Sequence, residues 1–142
     1  MSVKGMSGMI RLHKWQLDEK RRSMGELESM RAELVGKMRD LETELATEQK
    51  KAADAPVVSI SYAGYAQLVM VRRQNLHNSI AEIDVSIDEM KDLVSEAFKE
   101  LKKYEIVEQR ERERELAERN ARQQDEMDEL ALTMHRRSQK QA

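Results

Sequence analysis

The chain has 142 residues, 39% of them apolar and 37% charged, with one Pro and no Cys. That length carries one domain, and about half of the residues are Ala, Glu, Lys, Leu or Arg, the composition of coiled coils and long helices; large apolar side chains are too few for a compact core and turn residues too few for a β fold. The 27 acidic and 25 basic residues nearly cancel, giving a net charge of −2, so no strong field draws the chain to nucleic acid or to an anionic membrane.

Residues 1–6 carry Ser2 and Gly5 and show no period; they read as a frayed end. A first helix is predicted from about residue 7 to 51. With heptad position a at Ile10, Leu17, Met24, Arg31, Met38 and Leu45, position d falls at His13, Lys20, Leu27, Leu34, Leu41 and Glu48. Most of these positions are apolar, and a seven-residue repeat kept over five heptads points to a coiled coil. Gly25 and Gly36 fall at b and f, off the seam.

A turn is predicted over 52–58. Pro56, the chain's one Pro, removes a backbone donor and disfavours helix at Ala55. Ser59 or Ser61 is the candidate cap of the next helix.

The second helix is predicted from about 59 to 137. Position d reads Tyr62, Val69, Leu76, Ile83, Met90, Ala97 and Tyr104, and position a reads Ala66, Arg73, Ile80, Ile87, Val94 and Leu101. Arg73 is the one exception to an apolar or aromatic seam. In the same register the next seam positions are Glu108, Glu111, Glu115, Glu118, Arg122, Asp125 and Glu129, all charged. The stretch 108–126 still favours helix, because Glu108–Arg112, Glu115–Arg119 and Glu118–Arg122 are i,i+4 pairs. It reads as a solvated single helix and not as a nucleic-acid arm, since its acids outnumber its Arg residues. In a hairpin turning at residue 55, residue i faces roughly 110 − i, so the first helix runs out where the seam turns charged. The expected fold is therefore all-α: an antiparallel two-helix coiled-coil hairpin whose second helix extends past the first, a single domain over 1–142.

Near the end Met127, Leu130, Ala131 and Met134 form one helical stripe in a new phase, with no obvious cover inside the chain. Met24, Met38 and Met90 are explained as seam filling; Met127 and Met134 point to a binding surface. Tyr62 and Tyr65 have two readings, closing the seam near the tip or reaching out to a partner.

The three His, at 13, 77 and 135, match no metal spacing, and no Gly-rich phosphate loop occurs. No catalytic constellation is visible, so no enzyme activity, cofactor, metal or small-molecule substrate is expected. The lack of Cys fits a reducing compartment. Met1 to Ile10 holds no apolar run of signal-peptide length, and no apolar run is long enough to span a membrane.

Four segments carry a resemblance. Ile10-Arg11-Leu12-His13-Lys14-Trp15-Gln16-Leu17-Asp18-Glu19-Lys20-Arg21-Arg22 resembles the N-terminal helix of FliJ-family proteins, especially the alphaproteobacterial kind. Ser61-Tyr62-Ala63-Gly64-Tyr65-Ala66-Gln67 resembles the stretch after their turn, and Phe98-Lys99-Glu100-Leu101-Lys102-Lys103-Tyr104-Glu105 their late second helix. Met127-Asp128-Glu129-Leu130-Ala131, followed by Arg136-Arg137, is similar to their C-terminal signature. Nearly the whole chain is covered, with the four segments in order.

The resemblance implies a component of the flagellar type III export apparatus, a coiled coil similar to the central stalk of rotary ATP synthases. Its implied partners are the hexameric flagellar export ATPase, the cytoplasmic domain of the membrane export gate, and export chaperones. Its implied place is the cytoplasm, recruited to the inner-membrane face at the flagellar base. Carried onto this chain, Ile10, Trp15, Leu17, Met127, Leu130 and Met134 are the expected ATPase contacts. Leu41, Leu45, Tyr62, Tyr65 and Leu68 are the expected gate contacts, although the helix before the turn lacks the family's aromatic residues. The alternatives are a structural homodimeric coiled-coil rod and the equivalent stalk of a virulence-type secretion system.

Overall fold

A computed structural model describes residues 3–54 and 59–141. Two helices, α1 (Val3–Asp54) and α2 (Ser59–Gln141), account for all of them. They pack against each other as an antiparallel hairpin, and α2 is the longer, as the two seams and their different lengths predict. The packing resolves into two units, one joining Met1–Trp15 to Phe98–Ala142 and the other holding Gln16–Ala97.

In the Gln16–Ala97 unit the core is the heptad seam. Leu17, Leu41, Val69, Ile87 and Ala97 are buried, Val69 to 1% exposure. The seam positions from Leu17 to Glu48 and from Tyr62 to Ala97 are buried or half-buried, apart from Arg31. Arg31 and Arg73, the two cations at position a, each reach an acid on the facing helix. Arg31 Nε donates to Asp84 Oδ1 at 2.6 Å, and Arg73 Nη2 donates to Glu42 Oε2 at 2.8 Å. Arg73 Nε also lies 2.7 Å from Glu42 Oε1, an ionic contact that closes a fork on the carboxylate. Both acids sit at position e, beside the seam. These pairs are partly exposed, so each contributes only about 0–1 kcal/mol to stability. Their effect is on register.

That register corrects one expectation. The residue numbers in both pairs add to 115, not to roughly 110. Ala52, Ala53 and Asp54, expected in the turn, continue α1. Ala is the strongest helix former, and one turn more of helix shifts the reversal outward. Residues 55–58, with Pro56, lie outside the described residues, as do the side chains of Ser59 and Ser61. Ser61 is within α2 and is therefore not its cap.

In the other unit α1 begins at Val3, so the expected frayed end is helical from there. Met6 is buried with Ile10 and Leu101, because Val3 and Met6 continue the a and d positions upstream of Ile10. Burial outweighs the poor helix propensity of Gly5 and Ser7. His13 and Tyr104, both at d, stack with ring centroids 4.6 Å apart. The longer α1 also carries the seam further along α2. The Glu108 and Glu111 side chains are only 17% and 28% exposed. The packing ends at Glu111, one step past the expected end, and every residue from Arg112 to Gln141 is exposed.

This bare stretch is held by charge pairs along one helix. Arg112 meets Glu108 at 3.0 Å as its spacing predicts. Arg114 takes Glu111 at 2.8 Å and Glu118 at 3.4 Å, so Glu118 is engaged from its N-terminal side and not by Arg122. Gln124 adds a hydrogen bond to Asp128 four residues on. α2 ends at Gln141, four residues beyond the expected 137.

Gly25 and Gly36 lie inside α1 where an added Cβ meets nothing within 4 Å. Gly25→Ala and Gly36→Ala should therefore each stabilise the hairpin by about 0.5–1 kcal/mol. Thermal melting followed by circular dichroism at 222 nm checks this, and a lowered melting temperature would contradict the open surroundings of both positions.

Candidate interaction surfaces

The heptad that builds the fold also sorts the expected contact residues. Ile10, Leu17 and Leu41 are buried in the seam, and Leu45 is half-buried at position a. These four hold the helices together and offer little surface to a partner. Trp15, Leu68, Met127, Leu130 and Met134 face water, Trp15 to 61%, Leu68 to 65% and Met127 to 67%.

Three separate surfaces result. On α1, Trp15 at position f and Leu12 three residues before it are both exposed and share one outward face. The expected ATPase set is not brought together. Trp15 lies near the level of His13, whose ring meets Tyr104. Met127 is more than twenty residues further along α2, which at 1.5 Å per residue is roughly 35 Å away along the axis.

The second surface lies after the turn, in the Gln16–Ala97 unit. Tyr62 and Tyr65 lean on each other with centroids 6.5 Å apart and their planes tilted by 41°. The Tyr65 hydroxyl is shut off from water beside Glu44 without an aligned hydrogen bond. Loss of hydration pushes its pKa above the usual phenol value, the Glu44 and Glu48 carboxylates push the same way, and Arg72 opposes them. The half-buried ring and covered hydroxyl put Tyr65 at the edge of the seam. Leu68, Met70 and Val71 beside it are exposed and apolar. Met70 and Val71 did not stand out in the sequence, because they fall at e and f between seam residues. A shallow groove of about 400 Å³ runs between the helices here, with Leu41 and Leu76 in its floor and Lys37, Asp40, Glu44 and Arg72 on its rims. Such a groove fits an apolar side chain flanked by polar groups. It brings together no acid, base and nucleophile.

The third surface is the end of α2. Met127, Leu130 and Met134 are exposed, and so is Leu116, which lies eleven residues before Met127 and so on nearly the same face. Leu116 was legible from that spacing. Leu132 is exposed on the opposite side.

Among the described residues no three His, Asp or Glu side chains are grouped to hold a metal ion, and no helix is long and apolar enough to cross a membrane. Compared with family models, with curated proteins and with solved structures, the chain matches none of them.

Proposed function

We propose that this chain is a stalk-like coiled-coil component of a flagellar protein export apparatus, which engages the export ATPase ring and the export gate and escorts export chaperones. The observation that supports this reading most is the shape of α2's sequence and burial. The helix is packed as far as Glu111, then continues bare to Gln141 and carries exposed Met127, Leu130 and Met134 near its end. A helix that outruns its partner, keeps itself straight with charge pairs and ends in an apolar stripe is suited to insertion into another protein. The four segments that resemble the FliJ family give that protein its identity.

In this reading the Met127–Met134 stripe contacts the ATPase. Tyr62, Leu68 and the neighbouring Met70 and Val71 contact the gate, while Leu41, Leu45 and Tyr65 hold the hairpin beneath them. The chain works at the cytoplasmic face of the inner membrane and does no chemistry itself. A virulence-type secretion system would use the same geometry with different partners. A homodimeric rod built from both helices has less support, because the long seams are satisfied within one chain.

Affinity purification of the tagged chain from its own cells tests the proposal. The export ATPase and the gate protein should be recovered, and recovery should survive raised salt, because the proposed contacts are apolar. Recovery of neither, under conditions that keep the apparatus intact, would falsify the export reading.

A further inference from the structure

The exposed end of α2 carries a second heptad repeat, out of phase with the hairpin seam. Leu116, Asn120, Gln123, Met127, Leu130 and Met134 follow one another at alternating steps of four and three. At about 100° per residue, these positions and Ala117, Gln124 and Ala131 beside them fill a sector of roughly 140° with no charge in it. The remainder of the helix circumference over the same stretch is dominated by Glu, Asp and Arg. Charge-free spacing of this kind is the pattern of a helix–helix seam.

We infer that the occupant is a second copy of this chain, joined through 116–134 as a parallel, in-register two-stranded coiled coil. Three observations favour that occupant. First, in this register Leu116, Gln123 and Leu130 take position d, and Asn120, Met127 and Met134 take position a. Leu at d with a single Asn at a is the pattern of parallel dimers, in which the two Asn side chains hydrogen-bond to each other and fix the alignment. Second, the flanking charges are compatible with self-pairing. Position g holds Arg119 and Glu126, and the partner's e positions that meet them are Gln124 and Ala131, so no like charges face each other. Third, the surface is free. The face of α2 that meets α1 through Leu101, Tyr104, Glu108 and Glu111 lies about 100° round the helix from the Leu116–Met134 face, so a second copy does not displace α1. All six seam residues are exposed in the single chain.

The dimer is short, under three heptads with two polar layers, so it is weak and reversible. It does not depend on the export reading. If that reading holds, the ATPase and the second copy compete for Met127, Leu130 and Met134.

Sedimentation of the full chain over about 5–500 μM should show a reversible rise from one to two monomer masses. Met127→Asp with Leu130→Asp should weaken the association at least tenfold and leave helicity unchanged. Leu132→Asp, on the opposite face, should leave the association as it is. Asn120→Val should tighten it about tenfold, since a polar residue at a costs stability. The chain has no Cys, so Leu116→Cys reports direction: in a parallel dimer each Cys meets its copy and a disulfide forms on mild oxidation. A single monomer mass at every concentration overturns the proposal and leaves the face to a different protein. So does a dimer that survives Met127→Asp with Leu130→Asp. A dimer without the Leu116→Cys cross-link overturns the parallel arrangement. A dimer formed by the unsubstituted chain, with no ATPase captured by it, counts against the export reading alone.

Discussion

A chain carrying Leu17→Asp should lose its cooperative melting transition, while Trp15→Asp, two residues away, should melt within about 2 °C of the parent chain. Leu17 sits at position a and is 3% exposed. Truncating a buried Leu to Ala costs about 2–5 kcal/mol. An Asp at the same place adds a carboxylate that is stripped of water. Domains of this size are stable by only about 5–15 kcal/mol, so the two effects together take most of what holds the hairpin closed. Trp15 lies at position f and is mostly in water, where substitutions change stability by about 0.5 kcal/mol or less. The larger, more hydrophobic residue is thus the dispensable one. Circular dichroism at 222 nm against temperature decides between them. If Trp15→Asp proves the more damaging, the seam is in the wrong phase and every burial assignment in α1 moves by two residues.

The same contrast shows what the sequence made legible. The phase of both seams could be read from spacing alone, since a two-helix coil has almost no other way to bury apolar surface. Arg31 and Arg73 interrupt that pattern at position a, and their partners could not be named in advance. Whether Arg31 meets Asp84 or a neighbouring acid depends on the offset between helices, and the offset depends on where the chain reverses. Pro56 drew the expected reversal to residue 55, whereas Ala52 to Asp54 stay helical. The start of α1 was hidden for a different reason. Gly5 and Ser7 lower helix propensity around Met6, but Met6 falls at d and is buried. Tertiary burial decides such a position, and propensity does not. Among the contact residues, the heptad that placed Ile10, Leu17 and Leu41 on the seam already required their burial. The exposed apolar residues lie off the seam, Trp15 and Val71 at f, Met70 at e, Leu12 and Leu68 at c, and on the tail, where the neutral Asn120 and Gln123 conceal a repeat that a search for apolar residues passes over.

A chain ending after Glu111 should melt at the same temperature as the full chain and, if the proposed export role holds, lose the ATPase. Residues 112–141 are all exposed, so they add no packing to the hairpin. Their helix is maintained by local pairs such as Arg114–Glu118, each contributing only a few tenths of a kcal/mol to the tail itself. At a few micromolar, below the range in which the tails associate, the melting midpoint should shift by less than about 2 °C. The helical signal should fall by about a fifth, the tail's share of α1 and α2 together. Partner binding should divide differently. Capture of the export ATPase should drop to background, because Met127, Leu130 and Met134 are gone. Capture of the gate should persist, because Tyr62, Leu68, Met70 and Val71 belong to the hairpin. A midpoint lowered by 5 °C or more would mean that the tail supports the fold after all. A shortened chain that still binds the ATPase at full strength would move that contact onto the hairpin, where Leu12 and Trp15 are the exposed apolar pair on α1. Trp15→Ala in the shortened chain should then remove what binding is left.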